Sequence, residues 1–113
     1  MPDCLFCKMV SGDLPVPFVY QDDHAIAIAD INPQAPTHIL VIPRKHLAST
    51  AHAEAADSAL LGHLLAAAAQ IAQQKGLAKG YRLVINTGPD GGQTVEHLHI
   101  HLLGGRPMHW PPG

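Results

Sequence analysis

Three histidines, His97, His99 and His101, alternate with Leu98, Ile100 and Leu102 near the end of the chain. A strand sends successive side chains to opposite faces with a period of two. Read as a strand, residues 97–103 gather three imidazoles on one face, neighbours roughly 6.5–7 Å apart, and turn three aliphatic residues towards a core. Near neutrality an imidazole can attack as a nucleophile, pass a proton or ligate a metal. Just ahead runs Gly88-Pro89-Asp90-Gly91-Gly92-Gln93-Thr94. Its glycines let backbone approach a ligand closely, and exposed N–H groups in such a turn form an anion nest. Gln93 adds an amide and Thr94 a hydroxyl. No Lys-Ser/Thr follows, so this is not a Walker loop. Loop and strand together point to phosphate chemistry at a histidine. Imidazoles sharing a strand face can also share an ion, so metal binding is the competing use of the row.

A second pair with chemistry is Cys4 and Cys7, three residues apart. Cys-x-x-Cys can be a redox pair, half of a zinc site or two small hydrophobes. A thioredoxin-type motif would follow a strand and open a long helix, which this pair does not. Zinc needs two further ligands. His24, His52 and His63 each stand alone on a turn or helix and read as surface or satisfied structural histidines.

The elements that must position these residues follow from periodicity and breakers. Residues 3–10 form a short helix, with Asp3 as N-cap, Gly12 as stop and Leu5, Phe6 and Met9 on one side. Pro15 and Pro17 force an extended path. Residues 18–21 and 25–29 read as a hairpin around Asp22-Asp23-His24, and residues 30–36, with two prolines, as a loop. Residues 38–43 are a β-branched strand stopped by Pro43. In residues 55–75, Leu60, Leu61, Leu64, Leu65, Ala68 and Ile71 recur at helical spacing, with Asp57 in the first turn and Lys75-Gly76 at the end. Residues 81–86 are a fourth strand, and the histidine strand is the fifth. Strands in runs around one long helix predict an α+β fold: a five-stranded antiparallel sheet with one long and one short helix. The long helix covers the face carrying Leu98, Ile100 and Leu102.

The 113 residues make one domain, 1–113. With 47% hydrophobic and 14% charged residues the chain is not disordered. A formal charge of −2 gives no electrostatic case for nucleic acid or a membrane surface. Neither a secretory signal nor an unbroken apolar run long enough for a transmembrane helix is read, so the cytoplasm is the expected compartment.

The alternation His-φ-His-φ-His-φ-φ resembles the signature of the histidine-triad superfamily. The chain is most similar to its Hint branch of purine nucleoside phosphoramidate hydrolases. The resemblance is carried by Asp30-Ile31-Asn32-Pro33-Gln34-Ala35-Pro36-Thr37-His38, Val41-Ile42-Pro43-Arg44-Lys45-His46, Asp90-Gly91-Gly92-Gln93-Thr94-Val95, the triad, and the ending Gly104-Gly105-Arg106-Pro107-Met108-His109-Trp110-Pro111-Pro112-Gly113. Glu96 departs from it, standing where relatives often have an aromatic residue. The resemblance implies that His99 attacks the α-phosphorus, with a backbone carbonyl of the first triad histidine holding its other N–H. His101 and His38 would support the phosphate and Thr94 would meet the leaving-group atom. Gly92, Gln93 and Asn86 would contact phosphate oxygens. Asp30 would bind the ribose hydroxyls, and Ile31, Ile28, Leu5, Phe6 and Met9 would form an apolar slot for a purine, as in AMP or GMP. Cys4, Cys7, His46 and His97 would hold a structural zinc, and catalysis itself would need no metal. The resemblance further implies a homodimer whose two sheets join into ten strands, with long helices packed together and the Trp110 tail reaching the partner's site. Two other readings stay open: a dinucleoside polyphosphate hydrolase, and a non-enzymatic nucleotide-binding or scaffolding module.

Overall fold

The computed structural model describes residues 3–113. It contains helices α1 (Leu5–Ser11) and α2 (Ser58–Gln74) and strands β1 (Tyr20–Gln21), β2 (Ala25–Ala29), β3 (Thr37–Pro43), β4 (Tyr81–Val84) and β5 (Ile100–Gly104). The strands form one antiparallel sheet in the order β1-β2-β3-β5-β4. This is the α+β arrangement expected, with one short and one long helix.

Alternation along the central strands divides the interior into two layers. Ala25, Ala27, Ile39, Val41, Leu98, Ile100 and Leu102 face α2, which buries Leu64, Ala67, Ala68, Ile71 and Ala72 against them. Ile26, Ile28, Leu40 and Ile42 face the other way and pack with Phe6 and Met9 of α1. His38 shares the parity of Leu40 and Ile42 along β3, which assigns it to the α1 side. Length and composition alone would let residues Ala55–Gln74 cross a membrane, at a mean hydropathy of 1.3. Here that apolar stripe covers the sheet.

Several boundaries differ from the sequence reading, each for a local reason. The N-cap of α1 is Cys4, not Asp3: its sulfur accepts the Cys7 N–H at 3.4 Å. Gly12 stops the helix as expected, in a left-handed conformation at φ 86° that costs glycine nothing. Leu5 does not share the buried side; it is 43% exposed, while Phe6 and Met9 are buried. The long helix starts at Ser58 because residues Ala55–Asp57 form a 3₁₀ turn, where Asp57 and Glu54 cap each other. β5 begins only at Ile100. Pro43 has no N–H to extend the β3 ladder, and residues 97–99 bond elsewhere: the Leu98 N–H donates to the Leu47 carbonyl at 2.6 Å. The side-chain alternation nevertheless persists, and Leu98 keeps the same face as Ile100 and Leu102.

Leu64 is fully buried at the centre of the α2 contact with the sheet. Leu64→Ala is expected to cost about 2–5 kcal/mol of stability, through lost transfer energy and the cavity left behind. The midpoint shift in urea unfolding measures it.

Candidate functional site

Four histidines line the α1 side of the sheet in a connected series. The Gln34 N–H donates to His38 Nδ1 at 3.0 Å. That nitrogen is therefore the acceptor, and the proton of a neutral His38 sits on Nε2. His38 Nε2 lies 2.9 Å from His101 Nδ1 and 3.4 Å from an Asp30 carboxylate oxygen. His38 thus donates to His101 Nδ1, leaving Nε2 of a neutral His101 as a donor. Asp30 is fixed in turn by the Asn32 N–H, which donates to its other oxygen at 2.8 Å. The His99 ring stands 5.0 Å from that of His101, centroid to centroid.

His99 is ordered the opposite way round. Its Nδ1 lies 2.7 Å from the backbone carbonyl of His97, to which it donates. Nε2 of a neutral His99 then carries a lone pair, the state a nucleophilic imidazole needs. Phe6 packs edge-on against His99 at 5.1 Å and against His97 at 5.8 Å, so the α1 core steadies both rings.

His97 belongs to a second cluster. It is fully buried, and Nε2 donates to the Pro43 carbonyl at 2.8 Å. Its Nδ1 lies 3.2 Å from Cys4 Sγ, 3.6 Å from Cys7 Sγ and 3.1 Å from His46 Nδ1; Cys7 Sγ is 3.3 Å from His46 Nδ1. The four ligand atoms all fall within 4.8 Å of one another. Zinc–nitrogen and zinc–sulfur bonds of ordinary length set tetrahedral edges of about 3.3–3.8 Å. Two thiols and two imidazoles at these spacings fit a closed zinc site, with the Pro43 carbonyl fixing the tautomer that frees His97 Nδ1. Burial holds the His97 imidazole below its ordinary pKa, against the pull of the Pro43 hydrogen bond and with the His46 and His99 charges adding to it. Burial also pushes the Cys7 thiol up, followed by its hydrogen bond to Cys4 and the proximity of that thiol.

The glycine loop is built differently from the expectation. The Gly92 N–H donates to the Pro89 carbonyl at 3.1 Å and the Gln93 N–H to the Gly88 carbonyl at 3.0 Å. The Gln93 amide nitrogen spends both its protons on the Ala48 and Val95 carbonyls, while its oxygen accepts the Gly88 N–H. Neither residue has a donor left for an anion; they shape the loop instead. Glycine is required at position 91, where a Cβ would lie 2.3 Å from the Thr87 carbonyl oxygen. Thr94 is exposed and Asn86 half-buried. Thr94 lines a cavity of about 500 Å³ with Cys4, Leu5, His46 and Glu96 among its walls. The apolar residues expected to hold a base separate into two groups. Ile28, Phe6 and Met9 are core, whereas Leu5 and the fully exposed Ile31 are available at the surface.

Two positions carry more than their sequence context announced. Gln34 and Pro43 set histidine tautomers through main-chain atoms, which no side-chain motif encodes. His24 and His63 are not isolated: their rings meet edge-to-face at 5.3 Å, and His63 Nε2 lies 2.7 Å from Asp22.

Residues 11–108 match the HIT domain family. An uncharacterized HIT-like protein of Synechococcus elongatus is 57% identical over 98% of this chain and 97% of its own length. A 14 kDa zinc-binding protein of Zea mays is 51% identical over 96% of this chain and 87% of its own. A HIT family hydrolase from Legionella pneumophila superposes at a TM-score of 0.96 and 51% identity, covering 98% of this chain and 100% of that one. A histidine triad nucleotide-binding protein from Candida albicans superposes at 0.82 and 26% identity, covering 96% and 83%.

Burial, reinforced by the neighbouring His99 and His38, holds the His101 imidazole below its ordinary pKa despite the opposing pull of Asp30. The folded chain then binds fewer protons here than the unfolded chain. Stability is complete above the ordinary histidine range and falls as pH drops through about 6.5. Urea unfolding between about pH 7.5 and 5.5 should show that loss, with a shallower slope in His101→Gln.

Proposed function

The chain belongs to the HIT domain family, and from that premise we propose that it hydrolyses purine nucleoside 5′-phosphoramidates through a covalent nucleotidyl-histidine. The fold itself is that of HIT family hydrolases. The observation that carries the finer reading is the 2.7 Å bond from His99 Nδ1 to the His97 carbonyl, which leaves Nε2 as an oriented lone pair. In the first step His99 Nε2 attacks the α-phosphorus, the P–N bond breaks, and the amine leaves with its electron pair and takes up a proton from solvent. In the second step water attacks phosphorus and returns a proton to solvent, the P–N bond to His99 breaks, and the nucleoside monophosphate is released as His99 regains its lone pair. Splitting one displacement into two is the advantage of covalent catalysis. The His101 Nε2–H, oriented from Gln34 through His38, is a preorganised donor for charge on the non-bridging oxygens. Thr94 meets the leaving nitrogen and Asn86 a phosphate oxygen. Asp30 takes the ribose hydroxyls, and the purine of AMP or GMP lies over Ile31 and Leu5 against the Phe6, Met9 and Ile28 layer. Aminoacyl-adenylates present the same α-phosphorus.

Cys4, Cys7, His46 and His97 hold zinc in this reading. The ion ties the first helical turn to the residue whose carbonyl orients His99, and takes no part in the reaction. Cys4 and Cys7 are reduced and not joined by a disulfide, as a zinc site in a reducing cytoplasm requires. We also assign a homodimer. β4 is an open sheet edge with Tyr81 exposed. The outer face of α2 offers Gly62, Leu65, Ala66 and Ala69 without a charge, a surface on which a symmetric copy could pack.

His99→Ala should lower turnover of an adenosine phosphoramidate about 10⁴-fold or more while AMP binding by calorimetry stays within a few-fold. Near-normal turnover in that variant would remove the nucleophile assignment. Faster hydrolysis of a diadenosine polyphosphate than of the phosphoramidate would favour the neighbouring hydrolase class. Elemental analysis should find one zinc per chain, absent in Cys4→Ala and Cys7→Ala, with a lower unfolding temperature in both.

A further inference from the structure

On the α2 side of the sheet, the β1–β2 turn meets the first half of the long helix around Asp22. One Asp22 oxygen accepts the backbone N–H groups of His24 and Ala25, each at 2.8 Å. The other accepts the Tyr20 hydroxyl at 2.6 Å and His63 Nε2 at 2.7 Å. Arg44 anchors the same residue from behind, donating to the Asp22 carbonyl at 2.8 Å. Partial burial opposes ionisation, yet the Tyr20, His24 and His63 hydrogen bonds hold the carboxyl well below the usual range. Asp22 is therefore a fixed carboxylate, and it fixes the neighbouring ring: His63 donates through Nε2, which leaves the lone pair of a neutral ring on Nδ1.

The His24 ring stands beside it, with centroids 5.3 Å apart and planes at 77°. Neither nitrogen of the exposed His24 ring has a hydrogen-bond partner among the described residues. Both rings line one shallow cavity of about 380 Å³, whose other walls are Ala56, Ala59 and Leu60. Two imidazoles bound to one ion at ordinary metal–nitrogen lengths place their centroids about 5 Å apart. The two small alanines leave space for water to complete the coordination. A carboxylate on the far nitrogen of a ligating histidine fixes its tautomer and raises its basicity, an arrangement common behind metal-bound imidazoles.

We propose that His24 and His63 form a second metal site, separate from the cysteine cluster, for a divalent late transition ion. His63 binds through Nδ1, Asp22 acts as its orienting carboxylate, and imidazole selects the late first-row metals. This site joins the hairpin turn to α2 and is independent of the reaction proposed above. Edge-to-face ring packing alone explains the same distance but binds no ion, and that contrast makes the site testable.

The experiment is a Ni²⁺ titration of the full, zinc-loaded chain labelled with ¹⁵N-histidine, with a chromophoric chelator reporting any zinc released. The first equivalent of Ni²⁺ should broaden the ring signals of His24 and His63 together, ahead of His52 and His109, without zinc release. His24→Gln and His63→Gln should each weaken this event about tenfold or more while helical circular dichroism is unchanged. His24 alters only an exposed ring, so it keeps the test valid if His63→Gln perturbs the helix. The proposal is overturned if only one ring responds, if Ni²⁺ acts only by displacing zinc, or if His24→Gln binds as tightly as the unaltered chain.

Discussion

His97 holds the structure together at its functional centre, because both its ring nitrogens and its carbonyl are committed to different neighbours. Its ring Nε2 is held by the Pro43 carbonyl, its Nδ1 faces two thiols and His46, and its own carbonyl receives the proton of His99. A buried imidazole left without such partners would cost several kcal/mol; here the buried ring has a partner for each nitrogen. The rest of the arrangement follows from placing that residue. Proline at 43 ends the central ladder and offers a carbonyl where a strand would otherwise continue. α1 must then fold over the sheet so that Cys4 and Cys7 reach the same ring.

The two faces of the sheet divide the work. The α2 face is a conventional apolar layer of leucine, isoleucine and alanine. The α1 face mixes apolar packing with imidazoles, and Phe6 touches two of the triad rings. That mixture limits water's access to the rings, and burial disfavours protonation of His97 and His101. Orientation therefore comes from the main-chain groups of Gln34, Pro43 and His97, which lie in or beside the central strands, more than from charged side chains. A tautomer fixed by a backbone amide or carbonyl does not change with the charge state of a neighbour.

The sheet, its layers and the row of His97, His99 and His101 could be read from period-two alternation, because alternation is a direct consequence of strand geometry; His38 joined that row only through the family resemblance. What stayed hidden depended on which backbone group meets which side chain. Gln93 and Gly92 look like anion donors in a glycine loop until the loop's own carbonyls are seen to consume their protons. Cys4 looks like a metal ligand only, yet its sulfur also caps α1. Leu5 seems to belong with Phe6 and Met9, but α1 lies on the sheet through Phe6 and Met9 and leaves Leu5 at the margin, 43% exposed. His24 and His63 lie 39 positions apart in sequence, and only the packing of a turn on a helix brings them together.

The C-terminal tail is tied down at two points. Arg82 on the edge strand donates to the His109 carbonyl at 2.8 Å, and Arg106 donates through two nitrogens to the Gln34 carbonyl, at 3.2 and 3.0 Å. Gln34 is the residue whose N–H orients His38. One residue therefore serves as a hinge pin between the end of the chain and the first ring of the histidine series. The two main-chain groups of Gln34 thus stand between the Arg106 guanidinium and the His38 ring, so the end of the chain and the histidine series share one loop residue as a neighbour.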